Sequence, residues 1–149
     1  MQHTYLFEEG LWAANGIYIN EPGDQVDVQG SSIITHHEEN WVIELMMELM
    51  PQDHSEYRNL EFKTVYEVQP IQALTDATEW VTHNPSMGRL NGLMTVAHDS
   101  ILSTYQSTNG HVRGIETFIK ISDGQYQCRG ALFEGARRGA SWFLIFTRE

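Results

Sequence analysis

At 149 residues and 17.1 kDa, with 41% hydrophobic and 19% charged residues, the chain is sized for one domain (1–149) with a proper core, and its composition excludes disorder. Nine basic residues against 20 acidic ones leave a formal charge of -11, which repels phosphate backbones and anionic headgroups and argues against nucleic acid or a membrane as partner. Cys128 is the single cysteine, so no intrachain disulfide can form.

The chain opens on MQHTYLFEEG, which has no basic stretch followed by an apolar one, and no segment approaches the ~20 apolar residues of a membrane span. A cytoplasmic protein is expected. The first strand is expected in FEEGLWAANG, Phe7 to Gly16, and ends before the turn at Pro22-Gly23-Asp24. The next turn is Glu38-Glu39-Asn40. Beyond it, WVIELMMELM alternates Trp41, Ile43, Leu45, Met47 and Leu49 on a dry face with Val42, Glu44, Met46, Glu48 and Met50 on a mixed one. The polar run Pro51 to Asn59 separates it from LEFKTVYEV, where Leu60, Phe62, Thr64, Tyr66 and Val68 oppose Glu61, Lys63, Val65 and Glu67. IQALTDATEW competes for a single helical turn before its strand. Turns follow at Pro70 to Asp76, Asn84 to Gly88 and His98-Asp99, and the strand Ser100 to Ser107 sends Ile101, Ser103, Tyr105 and Ser107 to one face.

Asn109-Gly110 and Asp123-Gly124 are expected to form type I′ hairpins around the strand Val112 to Ile121, because that turn needs positive φ at both central residues. A last turn falls between Gly135 and Gly139. About nine turns at short, fairly even spacing imply about ten strands, each paired with its sequence neighbour. An open sheet of that kind leaves two edges, which closure removes. The expected fold is therefore all-β: an up-and-down antiparallel β-barrel of about ten strands. A barrel beyond roughly eight strands is too wide for side chains to fill and tends to enclose a cavity.

Gly10-Leu11-Trp12 on the first strand and Arg148 at the end of SWFLIFTRE resemble the signature of the calycins, the lipocalin and fatty-acid-binding superfamily. The resemblance implies that Trp12 plugs one end of the barrel and that the Arg148 cation lies on its indole face. Several family features are missing. The turn Glu21-Pro22-Gly23-Asp24 leaves no room for the helical lid of fatty-acid-binding proteins, and Thr147-Arg148-Glu149 does not match their Arg-x-Tyr anchor. The Gly-x-Trp-x-Gly-x-Gly of haem-binding nitrobindins is echoed only by Gly10, Trp12 and Gly16, and the late histidine that ligates their haem has no counterpart beyond His111. Haem, and cofactors generally, are not expected.

Catalytic and metal motifs are sparse. His98 and Asp99 are adjacent and diverge, and no Gly-x-Ser-x-Gly elbow is present, so the cluster reads as a turn and not as a nucleophilic triad. His36-His37-Glu38-Glu39 reads as a polar hairpin tip, because neighbouring imidazoles on an extended chain point apart. His83 suits turn capping, and Cys128 suits a small buried hydrophobe. If Trp12 and Trp142 face inward, Tyr18, Tyr105, Glu116, Tyr126 and Arg129 are candidates for isolated polar groups in the cavity, although Tyr126 and Arg129 have opposite parity. The cluster Met46, Met47 and Met50 would suit an adaptable wall. The pocket or plug is therefore assigned to Trp12, Trp80, Tyr105, Glu116, Arg129 and Trp142, with Arg148 structural.

The expected function is binding of a small, largely apolar molecule in the barrel interior. Two alternatives stand beside it: acid/base isomerisation or cyclisation with Glu116 or His83 as base, and a protein-interaction module, for which a homodimer stays open.

Overall fold

Alternation of apolar and polar side chains carries through the computed structural model, which describes residues 2–50, 60–72, 75–85 and 87–149. It forms ten strands: β1 (Gly10–Ile19), β2 (Gln25–His36), β3 (Trp41–Met50), β4 (Leu60–Val68), β5 (Ala77–Asn84), β6 (Gly88–Ala97), β7 (Ser100–Ser107), β8 (Val112–Ser122), β9 (Gln125–Glu134) and β10 (Arg137–Arg148). Each pairs antiparallel with its sequence neighbours, and β1 pairs with β10 to close the barrel. The run Pro51 to Asn59 lies outside the described residues, as do two positions of the helical turn considered in IQALTDATEW. No helix among the described residues is long and apolar enough to cross a membrane.

Register decides which residues meet inside. Trp41, Ile43, Leu45, Met47 and Leu49 of β3 stand opposite Val68, Tyr66, Thr64, Phe62 and Leu60 of β4, as the period-two reading requires. The same parity buries Trp12, Ile34, Val68, Ile101 and Cys128 almost completely. Each fully buried aliphatic side chain of this kind contributes roughly 1.5–3 kcal/mol.

The methionine cluster is split by that parity: Met47 points inward, while Met46 is 45% exposed on the outer wall.

The two type I′ turns do not form. At Asn109-Gly110 only the glycine has positive φ, at 73°, and the connection is four residues long. Asn109 stays right-handed because its Oδ1 accepts from Ser107 Oγ at 2.8 Å and from the His111 amide at 3.0 Å, bracing the loop by its side chain. At Asp123-Gly124 neither residue has positive φ. A register shift between Lys120 and Ser122 supplies the extra twist there. His98 instead takes φ 54° in the two-residue connection between β6 and β7.

Residues 2–9, ahead of β1, fold across one end of the barrel. The His3 ring donates from Nε2 to the His98 carbonyl at 2.8 Å and meets the Tyr126 hydroxyl at 2.9 Å. Thr4 Oγ1 donates to the Asp123 carbonyl at 2.7 Å, and His36 Nε2 donates to the Leu6 carbonyl at 2.7 Å. Tyr5 and Leu6 are thereby driven into the core, at 3% and 1% exposure. Leu6 holds φ 72°, a conformation that costs an L-residue roughly 1–2 kcal/mol. Burial of its side chain and the His36 bond offset that cost.

Among the described residues one seam is short. β4 and β5 pair only over Tyr66↔Thr82, Glu67↔Val81 and Val68↔Trp80, whereas β5 and β6 pair along their whole length. Toward the end opposite residues 2–9 the two strands separate, so Leu60 and Phe62, inward by register, are 57% and 50% exposed.

Candidate functional site

Above the floor made by Tyr5 and Leu6, the inward faces of the strands enclose a cavity of about 60 Å³, counted as the space open to the centre of a water molecule. A water needs roughly 10–15 Å³ by that measure, so the space suits a few non-hydrogen atoms. Its wall is mostly apolar. Ile43, Leu45 and Met47 come from β3, Tyr66 and Val68 from β4, Trp80 from β5, Met94 from β6, and Leu144 and Phe146 from β10.

The flat aromatic groups are seated by small residues on the neighbouring strands. Trp80 pairs with Gly92, Tyr105 with Gly114 and Trp142 with Gly130, and in each pair the ring occupies the space a β-carbon would take. Trp80 then meets Tyr66 edge to face at 5.2 Å and donates from Nε1 to Ser103 Oγ at 2.9 Å.

Glu116 stands across the cavity, in register with Ser103 on one side and Gly130 on the other. Its Oε2 accepts from the Trp142 indole N–H at 2.8 Å, and the Cys128 thiol lies near enough to influence its titration. Among the described residues it forms no ion pair. Burial pushes its carboxyl above the usual range, while the indole bond and the nearby thiol pull it back in part. Burial, with the Glu116 charge nearby, also raises Tyr66 and Tyr105, and it raises Cys128 well above an ordinary thiol. The result is a group of protonated oxygens and a protonated sulfur around one carboxyl, in a setting where each hydrogen bond counts for more than in water.

The structure divides the sequence candidates. Trp80 and Glu116 line the cavity. Trp142 reaches it through Glu116, and Tyr105 leans on Trp80 at 5.5 Å. Trp12 lies at the plugged end, wholly buried, edge to face with Tyr5 at 5.4 Å, with the Arg148 guanidinium 5.7 Å above its ring. Its indole N–H has no hydrogen-bond partner among the described residues. Arg129 is a correction. One residue beyond Cys128, it has outward parity and lies exposed over Phe143, 4.9 Å from the ring centroid. His83 is likewise exposed on the outer wall. His36 stacks on Trp41 at 4.2 Å, and no group of three metal-ligating side chains occurs among the described residues.

Tyr5, Tyr66 and Ser103 are cavity residues that sequence reasoning did not assign. Tyr66 and Ser103 carried a signal, since each shares the parity of an assigned apolar face. Tyr5 carried none, because it belongs to no strand.

Among solved structures the chain is similar to S-type phycobiliprotein lyase CPES from Guillardia theta, with a TM-score of 0.66 and 11% identity over 97% of this chain and 90% of that one. It is also similar to Rv2717c from M. tuberculosis, with a TM-score of 0.63 and 11% identity over 95% of this chain and 92% of that one. Both are lipocalin-like barrels of the calycin fold, and at this identity the likeness establishes the fold alone. No family model matches the sequence, and neither does any curated protein.

Proposed function

We propose that the barrel binds a small, largely apolar molecule in its interior and that Glu116 meets the polar end of that molecule. The observation that carries the reading is a carboxyl without an ion-pair partner among the described residues, turned into an otherwise aromatic and aliphatic cavity. A carboxyl so placed costs stability in the free protein, the pattern of a group kept for a site and not for folding. The parted β4–β5 seam supplies a way in, and Met47 and Met94 supply walls that re-shape at low cost, so a ligand larger than the present cavity is accommodated by their rotation. The solved neighbour named as a phycobiliprotein lyase is consistent with a barrel that handles a small ligand.

Native mass spectrometry of the purified full chain tests this directly. The expected result is a discrete added mass that disappears on denaturation. A bare chain whose four tryptophan indole N–H resonances also stay fixed on titration with n-butanol would overturn it.

The lack of an ion pair at Glu116 favours one second reading, acid/base catalysis with Glu116 as the proton-transferring group. It separates from simple binding by turnover: a co-purifying molecule that is converted on incubation, and is not converted by Glu116→Gln, identifies an enzyme.

A further inference from the structure

We infer that the polar end of the interior ligand is cationic: the cavity takes a small organic amine in its protonated form, with the nitrogen paired to Glu116 and the carbon skeleton laid against the aromatic walls. The inference rests on the container reading above and names the class of molecule contained.

The charges of the interior are of one sign where it matters. Among the described residues three cations have inward register, and each is already paired: at the plugged end Lys120 pairs with Asp123 at 2.7 Å and donates to the Gln2 carbonyl, and Arg148 pairs with Glu8 at 2.6 Å, while at the other end Arg137, opposite Glu134, pairs with Glu21 at 2.6 Å. None of them lines the cavity. Glu134 lies at the other end of β9, near Arg137 at 3.8 Å. Glu116 therefore has no counter-ion among the described residues. The groups facing it are Tyr5, Tyr66 and Tyr105, the Cys128 thiol, the Trp142 indole and Ser103, all of them neutral.

The Trp142 indole that hydrogen-bonds the carboxyl is a neutral donor, which suits an acceptor able to carry negative charge. A ligand anion would find no arginine or lysine in the wall to offset its charge. A neutral ligand would leave the carboxyl protonated and gain no ion pair. A cation pairs with the carboxylate and also finds the π-faces of Tyr66, Trp80 and Phe118. The formal charge of -11 raises the local concentration of cations around the whole molecule.

Binding balances as an exchange. The carboxylic acid of Glu116 gives its proton to solvent, the ammonium nitrogen keeps its own, and the carboxylate–ammonium pair forms. Affinity must then rise with pH through the titration of Glu116, which burial moves above the ordinary carboxylate value of 4.5, and level off beyond it.

The test uses 15N-labelled full-length protein titrated with n-butylammonium, n-butanol and butyrate, read at the indole N–H of Trp142. The expected result is a saturable shift with the ammonium at about tenfold higher affinity than the alcohol, no response to butyrate, and ammonium affinity that increases as pH rises above the ordinary carboxylate value of 4.5. Glu116→Gln should abolish the preference for the ammonium over the alcohol, with the Trp12 and Trp80 indole resonances certifying the fold. If that variant fails to fold, the pH series on the unaltered protein decides. Equal affinity for alcohol and ammonium, preferential binding of butyrate, or a flat pH series would overturn the cationic assignment and leave the container reading standing. Silence toward all three probes would overturn both.

Discussion

The backbone of Gly92 lies flat against the indole of Trp80, so close that a β-carbon there would stand 1.9 Å from Cε2. Gly114 has the same relation to Tyr105, at 2.1 Å from Cζ. Gly92→Ala must therefore expel the Trp80 ring from its seat and break its hydrogen bond to Ser103. A loss of about 2–3 kcal/mol is expected from overpacking and the orphaned donor together, measured by chemical denaturation. Gly114→Ala should behave alike, with the loss falling on Tyr105.

Glu116 makes stability depend on pH in a definite direction. Its folded-state pKa lies above the ordinary carboxylate value of 4.5, so between those two values the native state holds a proton that the unfolded chain has released. Stability then falls as pH rises through that window and levels off above the folded pKa. Glu116→Gln removes the titration. The melting temperature of the variant should gain on that of the unaltered chain as pH climbs from about 4.5, and a constant difference would show that burial does not perturb the carboxyl.

The plug is secured chiefly by Tyr5, which stacks on Phe118 at 4.8 Å and shares a 2.9 Å hydrogen bond with Ser32. Tyr5→Ala should cost about 3–5 kcal/mol and enlarge the cavity from below. Tyr5→Phe should cost only about 1 kcal/mol, the hydrogen bond alone. Thermal melts of the two variants distinguish the packing of the ring from its hydroxyl.

The parted seam has a dynamic signature. Amides of β4 between Leu60 and Thr64 that point toward β5 have no strand partners there among the described residues, so they should exchange with solvent far faster than amides of β7, which is paired on both sides from Ser100 to Gln106. Hydrogen exchange followed by NMR gives the comparison residue by residue.

Much of the fold was legible because a barrel of sequence neighbours is written locally. Strand parity sorted Ile101, Ser103 and Tyr105 to one face, which the closed barrel turns inward, and the alternation in β3 and β4 separated their two faces. The exceptions have physical causes. Turn type at Asn109 depended on which side-chain oxygen braced the loop, and at Asp123 on a register shift one turn upstream; neither is visible in a dipeptide. Arg129 shares a strand with Cys128, and only the partner strands decide which of two adjacent residues turns inward. Tyr5 enters the cavity from an irregular segment whose path is set by distant anchors on three hairpins, so no periodicity could announce it.

Nine of the ten seams join strands that follow one another along the chain, and the tenth, β1 to β10, joins its extremes. Hairpins can zip as they appear, but the ring shuts only when those extremes find each other, a search whose entropic toll exceeds that of any single hairpin. During synthesis the partly made protein is a curled ribbon with two raw borders. Until β10 has emerged from the ribosome no closed lumen exists, so the interior is completed only by the last strand made.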